Sequence, residues 1–243
     1  NLLAYSLDIT GREVYDLRFI DLRTGEHLPD VIEGITRNVA WANDNATVFY
    51  TRQDEALRPY QIARHTLGQS GEDTVVWTEE DDKFRSYIWR SRSDAFLIIG
   101  SFSSLTTEMR VLDANVATGE FQVFTERHLG HEYSIEHQGD RWLVLTNDSD
   151  DADGKHDERA VNRKLMEAPI SGDTSRGAWT ELIAHRDDVT LEGVEAFENF
   201  LVITEREGGL AHLRVLSTTD GNDKRMMLPE SLYTVYGTQN PNY

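Results

Sequence analysis

Five short apolar runs punctuate the chain, each ending in a small polar residue or reaching one just after: Leu3–Ser6, Val48–Thr51, Leu97–Gly100, Leu143–Thr146 and Leu201–Thr204. Their starts lie 45, 49, 46 and 58 residues apart. A second run follows each, at Tyr15–Phe19, Tyr60–Arg64, Glu108–Leu112, Arg163–Met166 and His212–Leu216. Several of these alternate apolar and polar residues with period two, the pattern of a half-buried strand. Glycine-containing turns come next at Arg23–Glu26, Ala117–Glu120 and Thr219–Asn222, where a positive φ costs glycine little. Third strands are predicted at Val75–Trp77, Phe121–Phe124 and Trp179–Ile183. A fourth strand precedes the next unit at Asn38–Trp41, Tyr87–Trp89, Tyr133–Ile135 and Val194–Phe197. No segment carries a convincing amphipathic helix.

Four strands in about 45–50 residues make a unit the size of a β-propeller blade. A blade cannot bury both faces alone, so blades stack on one another. The expected fold is all-β, a β-propeller of four-stranded antiparallel blades, with about five blades in residues 1–243 and no internal domain boundary. Five units suit a closed small ring and an open arc of a larger one equally. Trp41, Trp77, Trp89, Trp142 and Trp179 fall in strand runs and are expected to pack blades together. The fourth repeat is longer, and the excess sits in the acidic stretch 148–158, which reads as a hairpin loop.

Composition narrows the function. The chain has 24 Lys plus Arg against 43 Asp plus Glu, a net charge of −19. That is the wrong sign for a nucleic-acid binder, which displaces counterions from phosphates with a basic face. No stretch approaches the roughly 20 apolar residues of a membrane span. Cysteine is absent, so disulfides, thiolate zinc sites and a cysteine nucleophile are excluded, and a cytoplasmic location is the default expectation.

The candidate chemistry is thin. Placing Gly154 at the invariant glycine of a calcium loop puts Ser149, Asp151 and Asp153 at ligand positions but Ala160 where a bidentate Glu is required. His131 and His137 are six residues apart, whereas a zinc-protease helix needs two histidines four apart. Gly68-Gln69-Ser70-Gly71 has the wrong spacing for a nucleophile elbow and reads as a tight turn. No catalytic residue, metal site or cofactor site is therefore expected in this chain.

Several strings carry a resemblance. Trp41-Ala42-Asn43-Asp44 followed by Phe49-Tyr50-Thr51 resembles a blade signature of the prolyl oligopeptidase superfamily. Arg58–Gly68, Thr107–Ala114, His131–Ser134 and the stretch from His185 to Leu210 narrow this to oligopeptidase B, also called protease II. The strings run in the family's order from about residue 1 to residue 216, and the acidic stretch 148–158 departs from the pattern.

The resemblance implies a seven-bladed propeller capping an α/β-hydrolase domain that carries a Ser-Asp-His triad and cuts short peptides after Arg or Lys. This chain matches the middle of such a propeller, and the hydrolase domain is expected outside it. The implied role is non-catalytic: gating short Arg- and Lys-containing peptides by size, with the acidic charge drawing them in. In the family, the hairpin matching Asp8–Glu13 presents a charged side chain to the hydrolase domain. Glu13 is the matching position, with Arg12 second, and each is a candidate interdomain contact. A free-standing propeller scaffold binding a protein partner is the alternative, since one fold hosts many functions. Five of seven blades leave sheet edges and blade faces open, so self-association through those edges is a further expectation.

Overall fold

The computed structural model describes residues 1–148, 160–238, 240 and 243. Among the described residues eighteen strands form four antiparallel sheets, and the one helical element is a 3-10 turn at Arg176–Ala178. The calcium-loop positions Ser149, Asp151, Asp153 and Gly154 lie outside the described residues. Ala160 is described and buried.

Contacts divide the chain into two compact units. The first comprises Asn1–Arg90, Asp94–Ser104 and Glu108–Val123. It contains a six-stranded sheet in chain order: β1 (Leu2–Leu7), β2 (Tyr15–Asp21), β3 (Glu26–Trp41), β4 (Thr47–Gln53), β5 (Pro59–Thr66) and β6 (Thr74–Thr78). It also contains a four-stranded sheet of β7 (Arg85–Arg90), β8 (Phe96–Phe102), β9 (Thr107–Asp113) and β10 (Gln122–Val123), in the order β10-β9-β8-β7. The second unit comprises Ser91–Ser93, Leu105–Thr107 and Phe124–Tyr243. Its sheets are β11 (Tyr133–Gln138), β12 (Arg141–Thr146), β13 (Lys164–Pro169) and β14 (Thr180–Ile183), and then β15 (Val189–Phe197), β16 (Phe200–Glu207), β17 (Leu210–Ser217) and β18 (Asp223–Arg225).

The four-strand repeat holds, with a shift of phase. The strand expected to close one unit hydrogen-bonds to the apolar run that opens the next: β7 pairs with β8, β11 with β12 and β15 with β16. These three sheets therefore begin one strand earlier than the apolar runs suggest. The strand expected at Asn38–Trp41 is the end of the 16-residue β3. β3 pairs with β2 through Ile35, and with β4 from Ile35 to Trp41. The third strand of the first repeat and the opening strand of the second are thus one piece of chain. Trp179 stands just before β14, outside the strand run expected to hold it.

Burial explains the continuous apolar runs. β4, β8 and β12 are interior strands buried along both faces, so their side chains are apolar without alternation. β16 buries one face only, with Leu201, Ile203 and Glu205 inward. In the first unit one core holds Leu17, Phe19, Ile32, Ile35, Val48, Tyr50 and Ala63, and another is built around Phe49, Ile62, Ile88, Leu97 and Ile99. In the second, Leu143, Leu145, Leu165, Leu191, Leu201 and Ile203 pack together. All five tryptophans are at least partly buried, as blade-packing residues should be.

Neighbouring sheets within a unit are stitched by side-chain amides. Asn38 on β3 donates to the Ile88 carbonyl (2.9 Å) and accepts from the Ile88 N–H (2.8 Å), completing the edge of β7 as a peptide group would. In the second unit Gln138, at the end of β11, donates to the carbonyl of Phe197 at the end of β15 (2.6 Å).

Candidate functional site

The hairpin between β1 and β2 presents Arg12 and Glu13. Asp8 makes its tip rigid: one carboxylate oxygen accepts the N–H groups of Thr10 (2.8 Å) and Gly11 (2.9 Å) and the Thr10 hydroxyl, and the other accepts the Glu13 N–H (2.8 Å). These bonds, led by that from Thr10, hold the Asp8 carboxyl below its ordinary value. Glu13 sits in the left-handed region at φ 59°, an unfavourable conformation for a residue with a Cβ. Gln53 at the end of β4 donates to the Glu13 carbonyl (2.9 Å). The backbone of Glu13 is thus fixed from two sides while its side chain is exposed. Arg12 is exposed beside it, and among the described residues neither charge has an ion-pair partner. Ile9, on the same tip, is 85% exposed.

A second charged group belongs to the second unit and was not foreseen. Glu136 on β11 and Glu195 on β15 flank Arg92, whose Nη2 donates to Glu195 (2.7 Å) and whose guanidinium lies over the Phe197 ring at 4.6 Å. Among the described residues the Glu136 carboxyl has no hydrogen-bond partner. Burial pushes its carboxyl up to about 7; Arg92 opposes the shift and Glu195 adds to it. The next residue, His137, faces the other way and bonds Ser93 Oγ at 2.6 Å, and burial lowers its imidazole's affinity for a proton.

The third feature is a fully buried carboxylate. Glu205 on β16 is met by Arg186 (2.5 Å) and Arg214 (3.0 Å) on one oxygen and by Arg225 (2.7 Å) on the other. Asp223 holds Arg214 from its far side at 2.5 and 2.8 Å, and Glu207 pairs with Arg225. Burial would raise the Glu205 carboxyl, but bonds from Arg225, Arg214 and Arg186 outweigh it and hold the group below its ordinary value. Period two along β16 carries the signal for this site: Glu205 occupies the face of Leu201 and Ile203.

The remaining sequence candidates are dispersed. His131 Nε2 bonds Thr146 Oγ1 at 3.0 Å and its ring stacks on Tyr133, while His137 uses Ser93. The two histidines share no partner in these bonds. Among the described residues no group of three His, Asp or Glu side chains is arranged to hold a metal ion. Gly68 and Gly71 both have positive φ, as a turn requires.

These features sit on a recognised scaffold. The sequence profile of the prolyl oligopeptidase N-terminal beta-propeller domain matches residues 1–242. The chain is 40% identical over 242 residues to dipeptidyl aminopeptidase BI of Pseudoxanthomonas mexicana, covering 99% of this chain and 32% of that protein. It is 32% identical over 236 residues to protease 2 of Moraxella lacunata, covering 96% of this chain and 32% of that one. The fold superposes on oligopeptidase B from Leishmania major with a TM-score of 0.85 at 28% identity, over 97% of this chain and 33% of that one. Oligopeptidase B from Trypanosoma brucei, in a closed form with covalently bound antipain, gives 0.81 at 31% identity, over 96% and 32%. The chain thus spans about a third of the length of these relatives. No described helix is long and apolar enough to cross a membrane. With its profile, its blades and its relatives in agreement, the chain belongs to the prolyl oligopeptidase N-terminal β-propeller domain family.

Proposed function

We propose that this chain is the non-catalytic propeller portion of an oligopeptidase B-like serine peptidase, gating the access of short Arg- and Lys-containing peptides to a hydrolase domain outside the chain. The observation that carries this reading is the propeller-domain match across residues 1–242. The excess of 43 acidic over 24 basic residues supports the choice of cationic substrates. A field of that sign raises the local concentration of basic peptides and speeds their entry, and salt screens it. In the full-length protein, kcat/KM for a dibasic peptide falls as ionic strength rises, while that for a neutral peptide of equal length changes little. A dibasic value that stays flat with salt removes the steering.

In this reading Glu13, with Arg12 beside it, forms ion pairs with the hydrolase domain that favour the closed arrangement. What supports it is a fixed backbone beneath two exposed charges without partners among the described residues.

The 40% identity to a dipeptidyl aminopeptidase favours a second reading, in which the gated enzyme removes dipeptides from peptide N-termini. Digestion of one peptide with a free and with a blocked N-terminus separates the two. Equal cleavage of both supports the oligopeptidase reading, and loss of cleavage on blocking supports the aminopeptidase.

A further inference from the structure

In the first unit an imidazole sits between two carboxylates. His65, on β5, directs Nδ1 at Asp73 Oδ1 (2.7 Å) and Nε2 at Asp30 Oδ1 (3.1 Å). All three side chains are largely buried, with exposures of 11% for His65, 6% for Asp30 and 16% for Asp73. The ring stacks on Phe19 of β2. A carboxylate only accepts, so the protonated ring alone can donate to both neighbours.

The two carboxylates differ in what carries them. Asp30 belongs to the first half of β3, where the strand is paired to β2. Asp73 ends the loop 68–73, just before β6. Asp30 Oδ1 also accepts the Gly68 N–H at 2.7 Å. Both ends of the loop are therefore fastened through His65 and Asp30, and between them residues 69–72 are exposed, with Gly71 at φ 120°. The loop separates two surface clefts. One is lined by Val31, Glu33, Tyr50 and Arg52, the other by Arg64, Ser70 and Thr118.

We propose that His65 is a proton-operated latch on the loop 68–73, and that its deprotonation frees the loop and merges the two clefts it separates. When the ring loses a proton, one nitrogen turns a lone pair toward a carboxylate. Asp30 is anchored in a strand, so Asp73 and the loop it ends are the side that moves. The other groups facing this point are accounted for. Tyr50 of β4 donates its hydroxyl to Asp73 Oδ2 (2.8 Å), and its own deprotonation is pushed up to about 12, chiefly by burial and then by Asp73. Arg52 of β4 donates to the Tyr50 oxygen (2.9 Å) and to Gln61. Glu33 of β3 and Glu72 of the loop line the cleft beside the ring. Arg64, next to His65 on β5, is engaged with the Ala117 carbonyl.

The sign follows from which partner titrates. The latch is closed while both ring nitrogens carry protons and opens when one of those protons is lost. At the acid end, burial would raise the Asp30 carboxyl, but the Gly68 N–H and His65 outweigh it and hold it below its ordinary value. Asp30 therefore keeps its charge to lower pH than an ordinary carboxylate does.

Amide exchange of residues 68–73 in the full-length protein, corrected for the intrinsic pH dependence of exchange, tests the latch. Protection falls about tenfold when rising pH removes the ring's proton, while β8 keeps its protection. In His65→Gln, which can donate to one carboxylate only, loop protection is low and flat with pH. Asp73→Asn, which leaves the ring and its packing in place, gives the same low, flat profile should the first variant fail to fold. Ring nitrogen NMR shifts follow the proton directly. Loop protection that is flat with pH in the parent protein, a pH-dependent fall that persists in either variant, or a ring that is already neutral while the loop is still protected overturns the proposal.

Discussion

Glu205 and Glu13 are the same residue type in opposite circumstances. Glu205 is fully buried and shared among three arginines on the β16 sheet. Glu13 is held by its backbone at an exposed hairpin tip, with no charged partner among the described residues. The first carboxylate is consumed by the fold. The second is presented by it, on a left-handed backbone that bonds to Asp8 and Gln53 hold in place. Charges of the first kind are satisfied within the sheet, and charges of the second kind are available to something outside it.

Glu205→Ala leaves three guanidinium groups converging on nothing and destabilises the protein by about 3–5 kcal/mol, read by urea unfolding. A loss below about 1 kcal/mol would place Glu205 with the exposed, weak pairs. The contribution of Glu205 has the sign of a depressed carboxyl: present above its unfolded-state value and lost as pH falls through its folded-state value.

Glu136 adds a third circumstance, a half-buried carboxyl with no ion pair among the described residues. Its folded-state value is raised to about 7, so its charged form is penalised, and stability falls as pH rises through that value. Glu136→Gln should therefore stabilise by on the order of 2 kcal/mol at about pH 8, with the gain shrinking toward zero near pH 4. A gain that does not change with pH would mean that the carboxyl titrates normally.

The smallest stability effect belongs to the exposed side. Glu13→Ala changes unfolding free energy by no more than about 0.5 kcal/mol, yet lowers peptidase activity of the full-length protein; unchanged kinetics remove Glu13 from the interdomain contact. Glu13→Gly relieves the left-handed backbone and loses the same activity, which separates the side chain from the strain.

How much of this was legible in the sequence varies with the physics. The runs at Val48, Leu97 and Leu143 revealed interior strands because burial on both faces leaves no polar positions. The repeat length disclosed the blade. Strand phase was not legible, because a loop of four strands reads the same from any starting point until hydrogen bonds choose the partners. The continuity of β3 was hidden as well: Pro29, Asp30, Glu33 and Gly34 are residue types that disfavour a strand, and they fall where the β2–β3 register shifts. Glu205 was readable in principle from period two on β16. Its three arginines come from segments up to 39 residues apart, and only the sheet brings them together. His65 stood in a string that carries the family resemblance, but its sandwich depends on Asp30, which is 35 residues away.

The undivided β3 also bears on how the molecule responds to a cut or a pull. Elsewhere in the chain one sheet hands over to the next through a loop, and a break there leaves each ladder intact. A break near Ile35 would sever the strand that two ladders share, with β2 on one side and β4 on the other. Tension applied across that point loads both ladders in series, so the first repeat cannot peel away without loosening the second. β3 is a mechanical coupling, and it makes the opening repeats one cooperative body where the sequence shows two.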